Sequence, residues 1–192
     1  MPKIVDHEKR KEIIAEAAWR VILKQGMKGA TVRNIAKEAG LSLGALRYYF
    51  SSHEDLLIYA MELVKERVKK RVLNIALSNL PPKEKIIQML LELLPTNDIK
   101  KIEMEVWLEF ILYFKGQKSL QNQDGIFEGI TRLMAFLEAE NMLKEELDKD
   151  VEIERLYALI DGLAIHAIID PERLTEKKIK HVLMCHLEEI CK

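Results

Sequence analysis

The sequence predicts an all-α chain of about nine helices, in which a small N-terminal unit of three helices precedes a larger helical body. Apolar residues recur three and four apart along most of the 192 residues, while the period-two alternation of strands is almost absent. Pro81-Pro82, Pro95 and Pro171 punctuate the periodic stretches. Charge is divided unevenly beneath a net charge of -1: residues 1–50 hold ten Lys/Arg against five Asp/Glu, and the remainder twenty against twenty-six. A basic end on an acidic body suggests a polyanion bound at that end.

The first helix is expected over residues 6–25, with Asp6 as its N-cap and an inner stripe of Ile13, Ile14, Ala17, Ala18, Val21 and Ile22. Gly26 and Gly29 stop it. Thr31 caps a short second helix whose inner face is Val32, Ile35, Ala36 and Ala39, and Gly40 ends it in a left-handed conformation. Ser42 caps a third, very short helix to about Tyr48. Ser52 caps a fourth, to about Leu77, with Glu54 and Asp55 at the positive end of its dipole. Its basic run KERVKKR (residues 65–71) reads as a solvated face. Further helices are expected over 83–94, 98–114, 126–141, 151–169 and 176–190, with a polar loop GQKSLQNQDG at 116–125.

Residues 31–50, TVRNIAKEAGLSLGALRYYF, carry the functional signal. Two short helices joined through Gly40 form a helix-turn-helix, locked by Ile35, Ala36, Leu41 and Leu46. In this motif the second helix enters the DNA major groove and the first crosses the backbone. Thr31 and Ser42 sit at helix N-termini, where hydroxyl and backbone N–H groups hold phosphates. Arg33 is placed to neutralise a phosphate. Leu43, Gly44 and Ala45 allow close approach and contact with thymine methyls, and Arg47 suits guanine readout or a phosphate clamp. Tyr48 and Tyr49 offer hydroxyls to phosphates while their rings pack on the first helix, and Phe50 belongs to the core.

The stretch from about Lys9 to Tyr59 resembles the TetR family of bacterial regulators. The approach IIAEAAWRVILKQGMKGATV, the motif itself and the exit FSSHEDLL carry the resemblance. It implies a domain of residues 1–52 that binds DNA and a domain of 53–192 that senses a ligand and dimerises. It also implies a sequence-specific transcriptional regulator, a repressor released from its operator by a small molecule. The family often has Lys, contacting phosphate, where this chain has His53, and an aromatic residue where it has Arg47. His53 is still expected to donate to phosphate.

The segment LYALIDGLAIHAIIDPERLTEKKIKHVLMCHLEEI resembles the last two helices of BetI-like members, which implies a homodimer joined through those helices. The apolar band Leu156, Leu159, Ile160, Leu163, Ala164 and Ala167 is the expected interface, continued by Leu183, Leu187 and Ile190. Asp161 and His166 read as polar groups beside it. Met104, Trp107, Phe110, Ile111 and Phe114, with Phe127 and Met134, are the expected effector contacts, because small-molecule sites are mostly apolar and aromatic. Glu103, Glu105 and Glu109 lie on the same segment and read as a solvated face, or as partners for a cationic ligand.

Other classes have less support. His181 and Cys185 are four apart, but two ligands do not complete a metal site, and no phosphate loop or nucleophile motif appears. No enzyme activity and no cofactor is therefore expected. Residues 1–10 lack an apolar stretch and no apolar run reaches about 18 residues, so a cytoplasmic protein without a membrane partner is expected. The rival readings are an activator, a regulator without a ligand, and a helical enzyme or metal-binding bundle.

Overall fold

The structure, a computed structural model, describes residues 7–114 and 125–192. These residues form nine helices: α1 (His7–Gly29), α2 (Val32–Glu38), α3 (Leu43–Tyr49), α4 (His53–Ala76), α5 (Pro82–Leu91), α6 (Asp98–Tyr113), α7 (Gly125–Ala139), α8 (Lys149–Ile169) and α9 (Glu176–Ile190). The expected cap Asp6 and nearly all of the expected loop 116–125 lie outside the described residues. None of the helices is long and apolar enough to cross a membrane.

The chain divides into two compact units. The first comprises Met1–Arg67 together with Ile102–Lys115, and the second comprises Val68–Lys101 and Gly116–Lys192. Helices α4 and α6 therefore each belong partly to one unit and partly to the other.

The core of the first unit is built on α1, whose stripe of Ile14, Ala17, Ala18, Val21 and Ile22 is buried together with Ile35, Ala36, Leu46, Leu56, Leu57 and Ala60. Ile13, expected in that stripe, is exposed, and Trp19 is buried instead. The Trp19 indole N–H donates to the Ala60 carbonyl at 3.0 Å. The Arg67 guanidinium lies 4.8 Å from the centre of the Trp19 ring and pairs with Glu16. The basic run 65–71 is thus only partly a solvated face. Lys69 and Lys70 are exposed, but Arg67 is seated on Trp19, and Arg71, in the second unit, pairs with Glu92 at 2.6 Å.

The second unit packs α7 against α8, α8 against α9 and α9 against α5. Leu137, Leu156, Ile160 and Leu183 are fully buried there. Helix α7 ends on Asn141 in the left-handed region, φ 53°. The Met142 and Asn141 N–H groups return to the Leu137 and Glu138 carbonyls, the paired bonds that satisfy a helix C-terminus. Met142–Lys144 pairs with the chain end through Lys144 N–H to Ile190 O at 3.0 Å and Lys192 N–H to Met142 O at 2.8 Å.

Most of the band expected to join two copies is buried inside this unit, and Leu159 of that band is half-buried. Leu156, Ile160, Leu163, Ala164, Ala167, Leu183, Leu187 and Ile190 are all buried within the single chain. The large apolar residues that α8 and α9 leave exposed are Val151, Ile165, Ile169 and Met184. Helical periodicity gave the two faces no separate signature, because both carry apolar residues three and four apart.

Glu152 and His186 are also buried, and Glu152 Oε2 and His186 Nε2 each lack a hydrogen-bond partner among the described residues. Arg155 joins Glu152 at 2.7 Å and Glu189 at 3.2 Å. Burial pushes the His186 imidazole below its ordinary 6.5, the Glu152 and Glu189 carboxylates oppose this, and Arg155 adds to it. Below about pH 6.5 the unfolded chain takes up a proton that the folded chain resists. Stability present above that pH is therefore lost as pH falls from 6.5 towards the lowered value.

Two outcomes follow from this packing. Trp19→Ala should lower the unfolding free energy in urea by about 3–5 kcal/mol, whereas a loss under about 1 kcal/mol would show that the ring does not anchor α1. The unfolding midpoint should fall between pH 7 and pH 5.5, and fall less in His186→Leu. Equal falls in the two proteins would contradict the buried imidazole as a source.

Candidate nucleic-acid interface

Helices α2 and α3 have seven residues each. Helices this short do not persist in isolation, so their caps and their packing on α1 hold them. Thr31 is in extended backbone and its Oγ accepts from Asn34 N–H at 3.2 Å. Ser42 repeats the device towards Ala45 N–H at 3.1 Å. Each hydroxyl keeps its own hydrogen to donate outward, and both residues are exposed.

Gly40 ends α2 as expected, with φ 65°. Leu41 N–H reaches back to Ala36 O at 2.8 Å and Gly40 N–H to Lys37 O at 3.2 Å. This bond pair closes the helix end and turns the chain directly into the cap of α3. Arg20 and Lys24 of α1 tie α2 from outside, meeting Glu38 at 2.8 and 3.4 Å. The Arg20 guanidinium holds the Glu38 carboxyl below its ordinary range, with a further contribution from Lys24.

The turn entering α2 is held by three neighbours. Asn34 donates to the Gly29 carbonyl at 2.9 Å, and the ring of His53 meets the Ala30 carbonyl through Nε2 at 2.5 Å. Glu109, on α6, accepts the Met27 N–H at 3.3 Å.

Most of the residues expected to touch DNA share the exposed side of this pair of helices. Thr31, Arg33, Ser42, Leu43, Gly44, Arg47 and Tyr48 are exposed, and Ala45 and Tyr49 are half-buried. Neither Arg33 nor Arg47 has a carboxylate partner among the described residues, so both cations remain available to a phosphate or a base edge. Phe50 is core, 5 % exposed, and stacks edge-on to Tyr59 at 5.4 Å. The Tyr49 ring lies 4.9 Å from His7 at the start of α1, whereas Tyr48 stands out at 74 % exposure with only edge contacts to His7 and Tyr49. The expectation that both tyrosine rings pack on α1 thus fits Tyr49 better than Tyr48.

His53 has a different position from the one expected of it. A carbonyl can only accept, so Nε2 carries the hydrogen and is spent on Ala30. Any donation to a phosphate would then fall to Nδ1, the other ring nitrogen. His53 joins the start of α4 to the start of the motif, a contact that sequence spacing did not suggest. Glu109 was missed in the same way, since nothing in a helical segment marks which of its carboxylates meets a distant backbone N–H.

The expected effector contacts fall in both units. Met104, Phe110 and Phe114 are buried and Trp107 half-buried in the first, with the Phe110 and Phe114 rings 4.4 Å apart. Ile111 is 46 % exposed. In the second unit Met134 is buried, and Phe127 is half-buried with its ring 5.5 Å from Tyr157. An open groove of about 540 Å³ on α8, lined by Asp148, Asp150, Val151, Glu154, Arg155 and Ala158, includes none of these residues. Among the described residues no group of three or more His, Cys, Asp or Glu side chains is arranged to hold a metal ion.

Comparison with known proteins agrees with this geometry. Residues 14–60 match the bacterial regulatory proteins of the tetR family, and residues 82–192 match the C-terminal region of the BetI-type transcriptional repressors. The chain is 55% identical over 193 residues to the HTH-type transcriptional regulator PksA of Bacillus subtilis (strain 168), covering 100% of this chain and 94% of that one. It is 26% identical to the HTH-type transcriptional regulator BetI of Vibrio vulnificus (strain YJ016), covering 98% and 96%. Among solved structures, a transcriptional regulator from Rhodococcus sp. Rha1 superposes with a TM-score of 0.80 at 25% identity, over 94% of this chain and 95% of that one. A regulator from Saccharomonospora viridis, solved in complex with choline, has the same fold, with a TM-score of 0.80 at 23% identity over 96% and 99%. The chain therefore belongs to the TetR family of helix-turn-helix transcriptional regulators, and its C-terminal part is of the BetI type.

Proposed function

We propose that the chain is a homodimeric repressor, that residues 1–52 read a near-palindromic operator, and that a small molecule sensed by the remaining residues releases it. The exposed row Arg33, Arg47 and Tyr48, on two helices capped by Thr31 and Ser42, supports the DNA half of this reading. In it, α3 enters the major groove, Leu43, Gly44 and Ala45 approach the base edges, Arg47 reads a guanine or clamps a phosphate, and Tyr48 and Tyr49 donate hydroxyls to the backbone. Thr31 and Arg33 hold the flanking phosphates, and His53 acts indirectly, through Ala30.

Dimerisation gives the operator its symmetry. The exposed apolar residues Ile165, Ile169 and Met184 on α8 and α9 are the proposed contact with a second copy. Two recognition helices would then meet half-sites about 34–36 Å apart, or a multiple of it. The effector half rests on the aromatic run of α6, where Met104, Trp107, Phe110 and Phe114 gather apolar surface suited to a small molecule. The choline-bound neighbour supports a family body that admits such ligands.

Fluorescence anisotropy with duplexes from the region upstream of the protein's own gene tests the DNA half. Arg47→Ala should cost about 1–3 kcal/mol of specific binding. Arg33→Ala should weaken all sequences alike and reduce the slope of log affinity against log salt by about one. Parent-like binding by both variants would remove α3 and the start of α2 from the interface.

Light scattering tests the dimer. The double variant Ile165→Glu, Met184→Glu should run as a folded monomer and lose operator binding. A dimer of unchanged mass would place the interface elsewhere.

A further inference from the structure

Helix α1 breaks one turn before its end. Gly26 has φ 67° and ψ 176°, a backbone region open essentially to glycine alone. The break makes Met27 the start of a new turn, and such starts leave backbone N–H groups without a helical acceptor. The Glu109 carboxylate supplies one, with Oε2 3.3 Å from Met27 N. The same oxygen lies 3.8 Å from where a Cβ on Gly26 would be, so it sits directly over the break.

The turn below the break leads straight into the DNA-facing cap. Ala30 N–H bonds to Met27 O at 3.1 Å and Thr31 N–H to Gly29 O at 2.8 Å. Thr31 then caps α2. Asn34 grips the Gly29 carbonyl from α2, and His53 grips the Ala30 carbonyl from α4. Glu109 grips the same turn from α6, one residue before Phe110 and two after Trp107. Ile102–Lys115 belongs to the same compact unit as the DNA-reading helices, although in sequence it lies far beyond them.

We propose that Glu109 is a positioning residue for DNA reading, and that by holding the Met27 N–H it fixes the turn that sets Thr31 and the start of α2. The carboxylate neither touches DNA nor binds effector. It makes the geometry of the phosphate-facing end depend on where α6 stands. Withdrawal of Glu109 leaves the Met27 N–H without its acceptor, half-buried, and frees the turn about Gly26. The inference rests on the family's DNA-binding activity and on α2 and α3 being the surface that exercises it.

The test uses the full-length protein and a duplex selected by the parent protein from a random library, so that its outcome does not depend on the upstream operator. Glu109→Ala should weaken that duplex by about five- to 150-fold, the span of typical coupling between sites. It should also speed hydrogen exchange of the Met27 amide by about three- to tenfold, the effect of one lost hydrogen bond. Glu109→Gln keeps an acceptor oxygen and should restore both within about twofold. If the alanine variant fails to fold, Glu109→Met keeps the packed stem, removes only the acceptor and should behave as predicted for alanine. Faster exchange with unchanged affinity would overturn the positioning role. A glutamine variant as impaired as alanine would overturn the acceptor role. Failure of the parent to select any duplex would instead count against the DNA-binding reading itself.

Discussion

Two helices of seven residues cannot hold themselves, and the surface proposed to read DNA depends on how that problem is solved. Their backbone bonds are too few to offset the entropy of ordering them. The solution is a buried wall on α1, where Ile14, Ala17, Ala18, Val21 and Ile22 meet Ile35, Ala36 and Leu46. The Thr31 and Ser42 caps settle the donors at one end of each helix, and the Gly40 turn settles the carbonyls of α2. The outward side chains are then free of structural duties. Arg33, Arg47 and Tyr48 stand exposed on helices whose stability is carried by the residues beneath them.

Much of this was legible from residue types. Thr31, Gly40 and Ser42 are each among the few residues suited to their backbone positions, so sequence located the motif, and the structure has both caps and the left-handed glycine. The break at Gly26 was half legible. Glycine marked a change there, but the residue begins one further turn before the chain enters α2, so α1 extends to Gly29. His53 and Glu109 were not legible as anchors of that turn. Their partners are the backbone atoms of Ala30 and Met27, which have no identity in a sequence pattern.

The body shows where periodicity stops being informative. An apolar stripe states that a helix buries one face and is silent about what covers it. Leu156, Ile160 and Leu163 are covered by their own chain, and the large apolar residues left exposed on α8 and α9 are the sparser set Val151, Ile165, Ile169 and Met184. The polar residues are equally dependent on place. Glu152 and His186 are buried within the C-terminal unit, whereas Arg67 and Arg71, in a run that reads as solvated, are seated on Trp19 and Glu92.

In the proposed complex α3 enters the major groove with Arg47 exposed on it. Methylation interference on a bound duplex tests this most directly, because a methyl group on guanine N7 blocks the major-groove edge alone. Two patches of interference are expected, centred one helical turn apart, about 10–10.5 base pairs, or a multiple, with guanine interference within them lost in Arg47→Ala. Binding that tolerates N7 methylation at every guanine, or that is blocked only by minor-groove modification, would contradict it.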